Sequence, residues 1–285
     1  MGYKNPDALV TTDWFAANIS ASNLSIIDAS FYLPTAHRDP KKEFYNCHIP
    51  GATFFDINEI ADTNTDLPHM LPTADEFSKH AGSLGISNDH HVICYDSSGG
   101  PMAAMRVWWT FRVFGHDRVS VLSGGLPKWQ KEGHPTSSTA RDITEQQFTA
   151  KHDQNLVKNI EQILENIENQ HFQMVDARSG ARYNGTEAEP RVGLRQGHIP
   201  GAISLPFERL LDTENFMTMR SADEITSVIL GSGINPEKPL ISSCGSGVTA
   251  APLVMALYLI GHTQASIYDG SWTEWAARPD TPIVI

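Results

Sequence analysis

The chain has 285 residues, 40% of them hydrophobic and 19% charged, enough for two domains of about 140 residues each. Thirty-three acidic side chains against 21 basic ones leave a formal charge of −12, which argues against nucleic acid or an anionic membrane as the main partner. The longest apolar run, Ala250 to Ile260, is too short to span a bilayer.

Taken in chain order, short apolar runs of strand length alternate with longer runs of helix length. Ser25 to Asp28 reads as a strand, Thr73 to Leu84 as a helix, Val92 to Tyr95 as a strand, Ala103 to Phe114 as a helix and Val119 to Leu122 as a strand. Gly133 to Asp153 is polar and reads as a linker. Leu156 to Asn169 follows as an amphipathic helix with Ile160, Ile163, Leu164 and Ile167 on one face. Beyond it come strand Phe172 to Asp176, helix Ser221 to Leu230, strand Leu240 to Ser242, helix Ala250 to Ile260 and strand Ser266 to Tyr268. Thr73 with Glu76 and Ser221 with Glu224 are capping boxes. The alternation predicts an α/β fold, with mostly parallel sheets covered by helices on both faces.

The two halves repeat each other at an offset of about 148 residues, a domain duplication and not a solenoid. IIDAS, HIPGA, TADEF, LGI and VICYD of the first half are answered in order by MVDAR, HIPGA, SADEI, SGI and LISSC of the second. FGH then matches IGH, and Trp129 matches Trp275. The expected boundaries are 1–136 for the first domain, 137–155 for the linker and 156–285 for the second domain.

Duplication supplies a test: a residue present in both halves serves the fold, and a residue present in one is a candidate for chemistry. His48 and His198 of the HIPGA turns, and Asp28 and Asp176, fall in the first class. Cys244 falls in the second, because its counterpart is Asp96 in the loop DSSGGPM. Cys244 opens the loop CGSGVTA between an apolar strand and a helix, where backbone N–H groups and the helix dipole favour a thiolate or a bound anion. Gly245, Gly247 and Ala250 also spell G-x-G-x-x-A with Asp269 downstream, but only 16 residues follow Asp269, too few for a dinucleotide fold. A Cys-x5-Arg phosphatase is excluded because Ala250 stands where the arginine is needed.

These motifs resemble the tandem-domain sulfurtransferases of the rhodanese superfamily, over essentially the whole chain, and within it the branch that takes sulfur from 3-mercaptopyruvate. The resemblance implies two tandem rhodanese-like domains, the second catalytic, and a persulfide formed on Cys244 that a thiol or cyanide then discharges. Relatives that use thiosulfate carry basic residues in the loop, whereas Gly245 and Ser246 are uncharged, which suits a carboxylate donor. Thiosulfate sulfurtransferase and a non-catalytic persulfide carrier are the alternatives. The backbone of Gly245, Gly247, Val248 and Thr249 is expected to cradle the sulfur anion, and the resemblance points to Arg182 and Arg191 as the grip on the donor carboxylate.

The resemblance also implies a Ser, His and Asp set beside the cysteine, matched here by Ser246 and His69. His69 passes the duplication test, because Met217 is its counterpart. The third position falls on Asn58, which can orient an imidazole but cannot neutralise its charge. Asp62 is the alternative acid, with Asp56 also near. No metal or organic cofactor is implied. The partners expected are a small carboxylate-bearing sulfur donor and a thiol acceptor, a small thiol or a thioredoxin-like protein, with neither nucleic acid nor membrane. Three cysteines with no close pairs, and a start without a basic, apolar leader, predict a cytoplasmic location. Cys94 reads as a core residue, and the adjacent His90 and His91 cannot share a site from a strand.

Overall fold

The computed structural model describes residues 2–98 and 100–285; Met1, and Gly99 of the Asp96 loop, lie outside the described residues. The first domain carries strands β1 (Leu9–Val10), β2 (Leu24–Asp28), β3 (Ala52–Phe54), β4 (His91–Tyr95) and β5 (Val119–Leu122). Its helices are α1 (Thr12–Asn18), α2 (Pro40–Asn46), α3 (Ala74–Ser83), α4 (Met102–Val113) and α5 (Gly125–Lys131). The five strands form one sheet in the order β1-β5-β4-β2-β3, with every pair parallel.

The second domain carries β6 (Val157–Lys158), β7 (Gln173–Asp176), β8 (Ile203–Ser204), β9 (Leu211–Asp212), β10 (Thr218–Met219), β11 (Leu240–Ser243) and β12 (Ser266–Tyr268). Its helices are α6 (Ile160–Asn169), α7 (Gly180–Tyr183), α8 (Ala222–Gly231), α9 (Ala251–Leu259) and α10 (Ser271–Ala277). Its parallel sheet has the order β6-β12-β11-β7-β8, the same topology as the first, with β9 and β10 as a small antiparallel pair. Both capping boxes form, at Thr73 with Glu76 and at Ser221 with Glu224.

Helices cover both faces of each sheet because neighbouring strand residues point opposite ways. Ile26, Ile93 and Leu122 pack with Phe15, Phe44 and Trp129 of α1, α2 and α5. Ile27, Cys94 and Val121 face the other way, onto Phe77 of α3 and Phe111 of α4. In the second domain Met174, Ile241 and Tyr268 meet α6 and α10, while Val175, Leu240 and Ile267 meet α8 and α9. The core under α4 and the core under α9 are one continuous cluster. Trp108 of α4 sets its ring edge against Tyr258 of α9, centroids 5.4 Å apart. The two domains are therefore packed together along apolar side chains, with a cleft between their loops.

One expected element is corrected. Leu156 to Asn169 is not a single helix: Gln154–Leu156 is a 3-10 turn and Val157–Lys158 pairs with β12 as an edge strand. Asn159 then caps α6, its side chain accepting from the Gln162 N–H while Gln162 returns a bond to the Asn159 N–H, so the cap sets the helix start at Ile160. The segment joining the domains lies along the first one. Phe148 is buried in its core, Ser137 pairs with His48, and Gln146 and Lys151 donate to the carbonyls of Gly82 and Phe114.

His48 and His198 hold their turns in place. His48 bonds the Phe44 and Thr139 carbonyls at 2.7 and 3.2 Å, and His198 bonds the Tyr183 carbonyl at 2.9 Å. Each HIPGA turn needs a left-handed residue, supplied by Gly51 at φ 81° and Gly201 at φ 78°.

Candidate active site

Cys244 follows β11 and is buried, with 1% of its surface exposed. Its N–H donates to Ser271 Oγ at 3.2 Å, and its carbonyl accepts from the Trp272 N–H at 2.9 Å. Both anchors come from the start of α10, so β12 and its following turn fix the cysteine from behind. Among the described residues, no backbone N–H from Gly245 to Thr249 has an acceptor within the protein. Buried N–H groups are rarely left unpaired. Five in succession, ahead of the N-terminus of α9, form a nest for an anion.

Cys244, Gly245, Ser246, Val248, Thr249, Arg182 and Arg191 line one cavity of about 370 Å³. Its opposite wall comes from the first domain, with Phe31, Tyr32, Leu33, Ser98, Met102 and Ala103. Gly247 does not line it: at φ 75° it turns its carbonyl away, to Arg106. A Cβ at Gly245 would sit 3.1 Å from Arg182 Nη2 and 4.0 Å from Arg191 Nη1, so both guanidinium groups border the residue after the cysteine.

The two arginines are held differently. Arg182 donates from Nε and Nη2 to Glu189. Glu189 also accepts from Arg178 at 2.7 Å, and Arg178, fully buried, pairs with Asp176 at 2.6 Å. Arg191 has no carboxylate partner among the described residues and reaches only Ser246 Oγ, at 3.4 Å. Burial lowers its affinity for its proton, opposed first by the field of Cys244. A guanidinium without a counter-ion, beside a thiol and five free N–H groups, gives the cavity an excess of positive potential.

His69 sits behind Ser246, 6% exposed, with its edge against the Phe31 ring at 4.8 Å. Its Nδ1 lies 3.1 Å from Ser246 Oγ and its Nε2 lies 3.1 Å from Asn58 Oδ1. Asn58 is itself fixed, because its backbone and side-chain N–H groups both donate to Asp56 Oδ1, at 2.9 and 3.2 Å. The amide therefore presents its oxygen to the ring, so Nε2 carries the proton and Nδ1 accepts from the Ser246 hydroxyl. Burial, followed by the fields of Arg106 and Arg191, pulls the His69 pKa down to about 3, and the ring is neutral at ordinary pH. Asp62 is not the substitute acid: its carboxylate turns to Asn64, at 2.9 and 3.0 Å.

The other sequence expectations also find their places. Cys94 is a core residue whose thiol burial pushes well up. His90 bonds Ser25 and His91 bonds Ser120, on separate sides of β4. Met217, the counterpart of His69, repeats its left-handed backbone, at φ 54° against 63°. The duplication kept the bend and placed an imidazole on only one copy.

Residues 11–132 and 159–278 each match the model of the rhodanese-like domain. The chain belongs to the rhodanese family. A thiosulfate/3-mercaptopyruvate sulfurtransferase of Arabidopsis thaliana, described as mitochondrial, is 42% identical over 97% of this chain and 78% of the relative. A thiosulfate sulfurtransferase of Cricetulus griseus is 44% identical over 97% of this chain and 95% of its own length. The crystal structure of SseA from Escherichia coli, a 3-mercaptopyruvate sulfotransferase, superposes with a TM-score of 0.85 at 37% identity, covering 93% of this chain and 98% of that one.

As a rhodanese with two copies of the domain, the protein is an α/β sulfur-transferring enzyme whose loop cysteine, Cys244, stands in one copy only, with Asp96 opposite it in the other. The sequence missed several residues that build its site. Glu189, Arg178 and Asp176 hold Arg182; Ser271 anchors the cysteine; Arg106 and Asp269 tie the loops together. Asp269 and Ser271 were within reach of the duplication test, since Ser123 and Gly125 stand opposite them in the register of Trp129 and Trp275. Glu189 carries no such mark, because nothing in its spacing announces the two arginines it serves. Among the described residues no helix is long and apolar enough to cross a membrane, and no group of His, Cys, Asp or Glu side chains could hold a metal ion.

Proposed function

We propose that this rhodanese moves sulfur from 3-mercaptopyruvate to a thiol or cyanide acceptor through a persulfide on Cys244. The observation that carries the reading is the pair of guanidinium groups at an otherwise uncharged loop: Arg191 lacks a carboxylate partner among the described residues, and Arg182 borders Gly245 beside it. A 2-oxo acid offers one carboxylate for this pair, while its sulfur reaches toward Cys244 and the N–H nest.

The Cys244 thiolate attacks the donor sulfur, and a sulfur–sulfur bond forms. The carbon–sulfur bond breaks with its electron pair passing to the carbon, giving the enolate of pyruvate. The outer sulfur gives up the proton it brought, and the enolate carbon takes one up, so no proton is gained from solvent overall. Ser246, donating to a neutral His69, is the group placed to pass that proton. The free N–H groups of Gly245, Ser246, Val248 and Thr249, the loop residues that line the cavity, then hold the persulfide anion. A second thiolate attacks the outer sulfur and restores Cys244.

The substrate-binding role rests on Arg182, Arg191 and the backbone of Gly245, Val248 and Thr249; Gly247 contributes the bend. The domains run from 1 to 136 and from 156 to 285, with the thiol acceptor entering the cavity between them. The unpaired cysteines favour the cytoplasm as the working compartment. The test compares 3-mercaptopyruvate and thiosulfate as donors with one acceptor. A kcat/KM at least tenfold higher for 3-mercaptopyruvate is expected, and a preference for thiosulfate overturns the reading. Absence of pyruvate release, with persulfide still accepted from a donor protein, would identify a carrier.

A further inference from the structure

Arg106 lies in α4 of the first domain, 3% exposed, and makes three contacts at the interface between the domains. Its Nη2 donates to the His69 carbonyl at 2.7 Å and to Asp269 Oδ1 at 2.7 Å, and its Nη1 donates to the Gly247 carbonyl at 3.3 Å. Asp269, at the end of β12, accepts with its other oxygen from the Leu71 N–H at 2.8 Å. One buried ion pair therefore grips the His69 bend at two points, His69 and Leu71, and the cysteine loop at a third.

The bend needs gripping, because His69 has a left-handed backbone at φ 63°, which costs energy for a residue with a Cβ. Gly247 is also left-handed, and a Cβ there would lie 2.8 Å from Arg106 Nη1. The loop has been shaped to admit the guanidinium. Each partner is confined to one half of the duplication: in the register of FGH with IGH, Pro252 answers to Arg106, and Ser123 answers to Asp269. A pair serving only the fold would be expected twice.

We infer that Arg106 and Asp269 are positioning residues for the sulfur-transfer step, setting His69 at hydrogen-bonding distance from Ser246 across the domain interface. The pair touches neither the cavity nor the reacting sulfur and acts through His69 and Gly247. Its cationic member also disfavours a proton on the imidazole, together with Arg191. The groups facing His69 are Ser246 and Arg191 from the second domain, Arg106 from α4, and Asn58 with Asp56 behind it; Asp269 lies beyond Leu71.

The inference rests on the proposed reaction, and the test separates the two. Arg106→Lys keeps the charge and loses the fork, and Asp269→Asn keeps the shape and loses the charge. Pyruvate release from 3-mercaptopyruvate is measured for the full-length wild type and both variants, alongside the histidine ring resonances of 15N-labelled protein across pH. In both variants kcat is expected to fall at least tenfold while KM changes less than threefold, with the His69 signal shifted from its wild-type position. In Asp269→Asn the unopposed guanidinium keeps His69 neutral, so its activity loss is expected without an acid limb. Wild-type kcat in either folded variant, or an equal rise in KM accounting for the loss, overturns the inference. If Arg106→Lys does not fold, Asp269→Asn decides alone. A wild type that releases no pyruvate defeats the proposed reaction, while the His69 resonance still reports on the grip: an unmoved signal in the variants overturns it.

Discussion

The loops at Asp96 and Cys244 stand at the same place in two copies of one fold, and they treat their backbone N–H groups in opposite ways. In the first, the Ser98 N–H donates to Asp96 Oδ1 at 2.7 Å and the Ala103 N–H to Oδ2 at 3.2 Å, while the Ser97 and Gly100 N–H groups find serine hydroxyls. The loop brings its own carboxyl group, and the N–H groups of Ser97, Ser98, Gly100 and Ala103 are all taken within the protein. In the second, the five N–H groups after Cys244 are open, and the charged groups bordering them on the cavity side are the cations Arg182 and Arg191. A loop that satisfies itself is a wall, and a loop left unsatisfied is a site.

The strongest way to break the contrast is Cys244→Ser. Loss of the nucleophile should reduce pyruvate release by more than about 10³-fold, with thermal stability changed by less than about 1 kcal/mol, since a hydroxyl fits the same buried place. Activity retained in this variant would show that the open loop is not where sulfur is taken. Arg182→Ala should raise KM for 3-mercaptopyruvate about tenfold or more, the scale of one charge-assisted pair. An unchanged KM in steady-state kinetics would return Arg182 to a structural role beside Glu189.

A third measurement sharpens the first loop. Burial raises the Asp96 pKa to about 7, above the carboxylate's ordinary value of 3.8, against the pull of Ser98. A raised carboxylate pKa means that the folded state binds the proton more tightly than the unfolded one. Stability should therefore decline as pH rises from about 4 to about 7, and level off above. Asp96→Asn should flatten that part of the profile in denaturant titrations; a slope unchanged from wild type would place its origin elsewhere, with the neighbouring Asp28 the first candidate. The smallest effect is expected from Asn58→Asp. A carboxylate opposite Nε2 should raise the His69 pKa and change kcat by a few-fold, with an acid limb appearing at higher pH than in wild type. Superimposable pH profiles would show that His69 takes no part in proton transfer.

Most of the fold was legible because its cause is local. Alternating strand residues such as Ile26 and Ile27 declare a sheet covered on both faces, and the paired capping boxes mark two equivalent helices. Two-residue edge strands such as Leu9–Val10 and Val157–Lys158 were not legible, because they are too short for any periodicity and exist only through β5 and β12. Within the site, the cysteine, serine, histidine and two arginines were readable from motif and duplication. Their supports were not: Glu189 beneath Arg182, Asp56 behind Asn58, and Arg106 between the loops depend on which carbonyls and carboxylates the folded chain brings within hydrogen-bonding distance.

The site is divided between the copies. His69, Asn58 and Arg106 belong to the first domain, and Cys244, Ser246 and Asp269 to the second, joined by contacts that neither could make alone. Such a division makes the domain without the loop cysteine as necessary as the one that carries it. A second domain cut away from the first would keep Cys244 and Ser246 and lose His69, Asn58 and Arg106, so the loop cysteine alone does not make the half that holds it a self-sufficient unit.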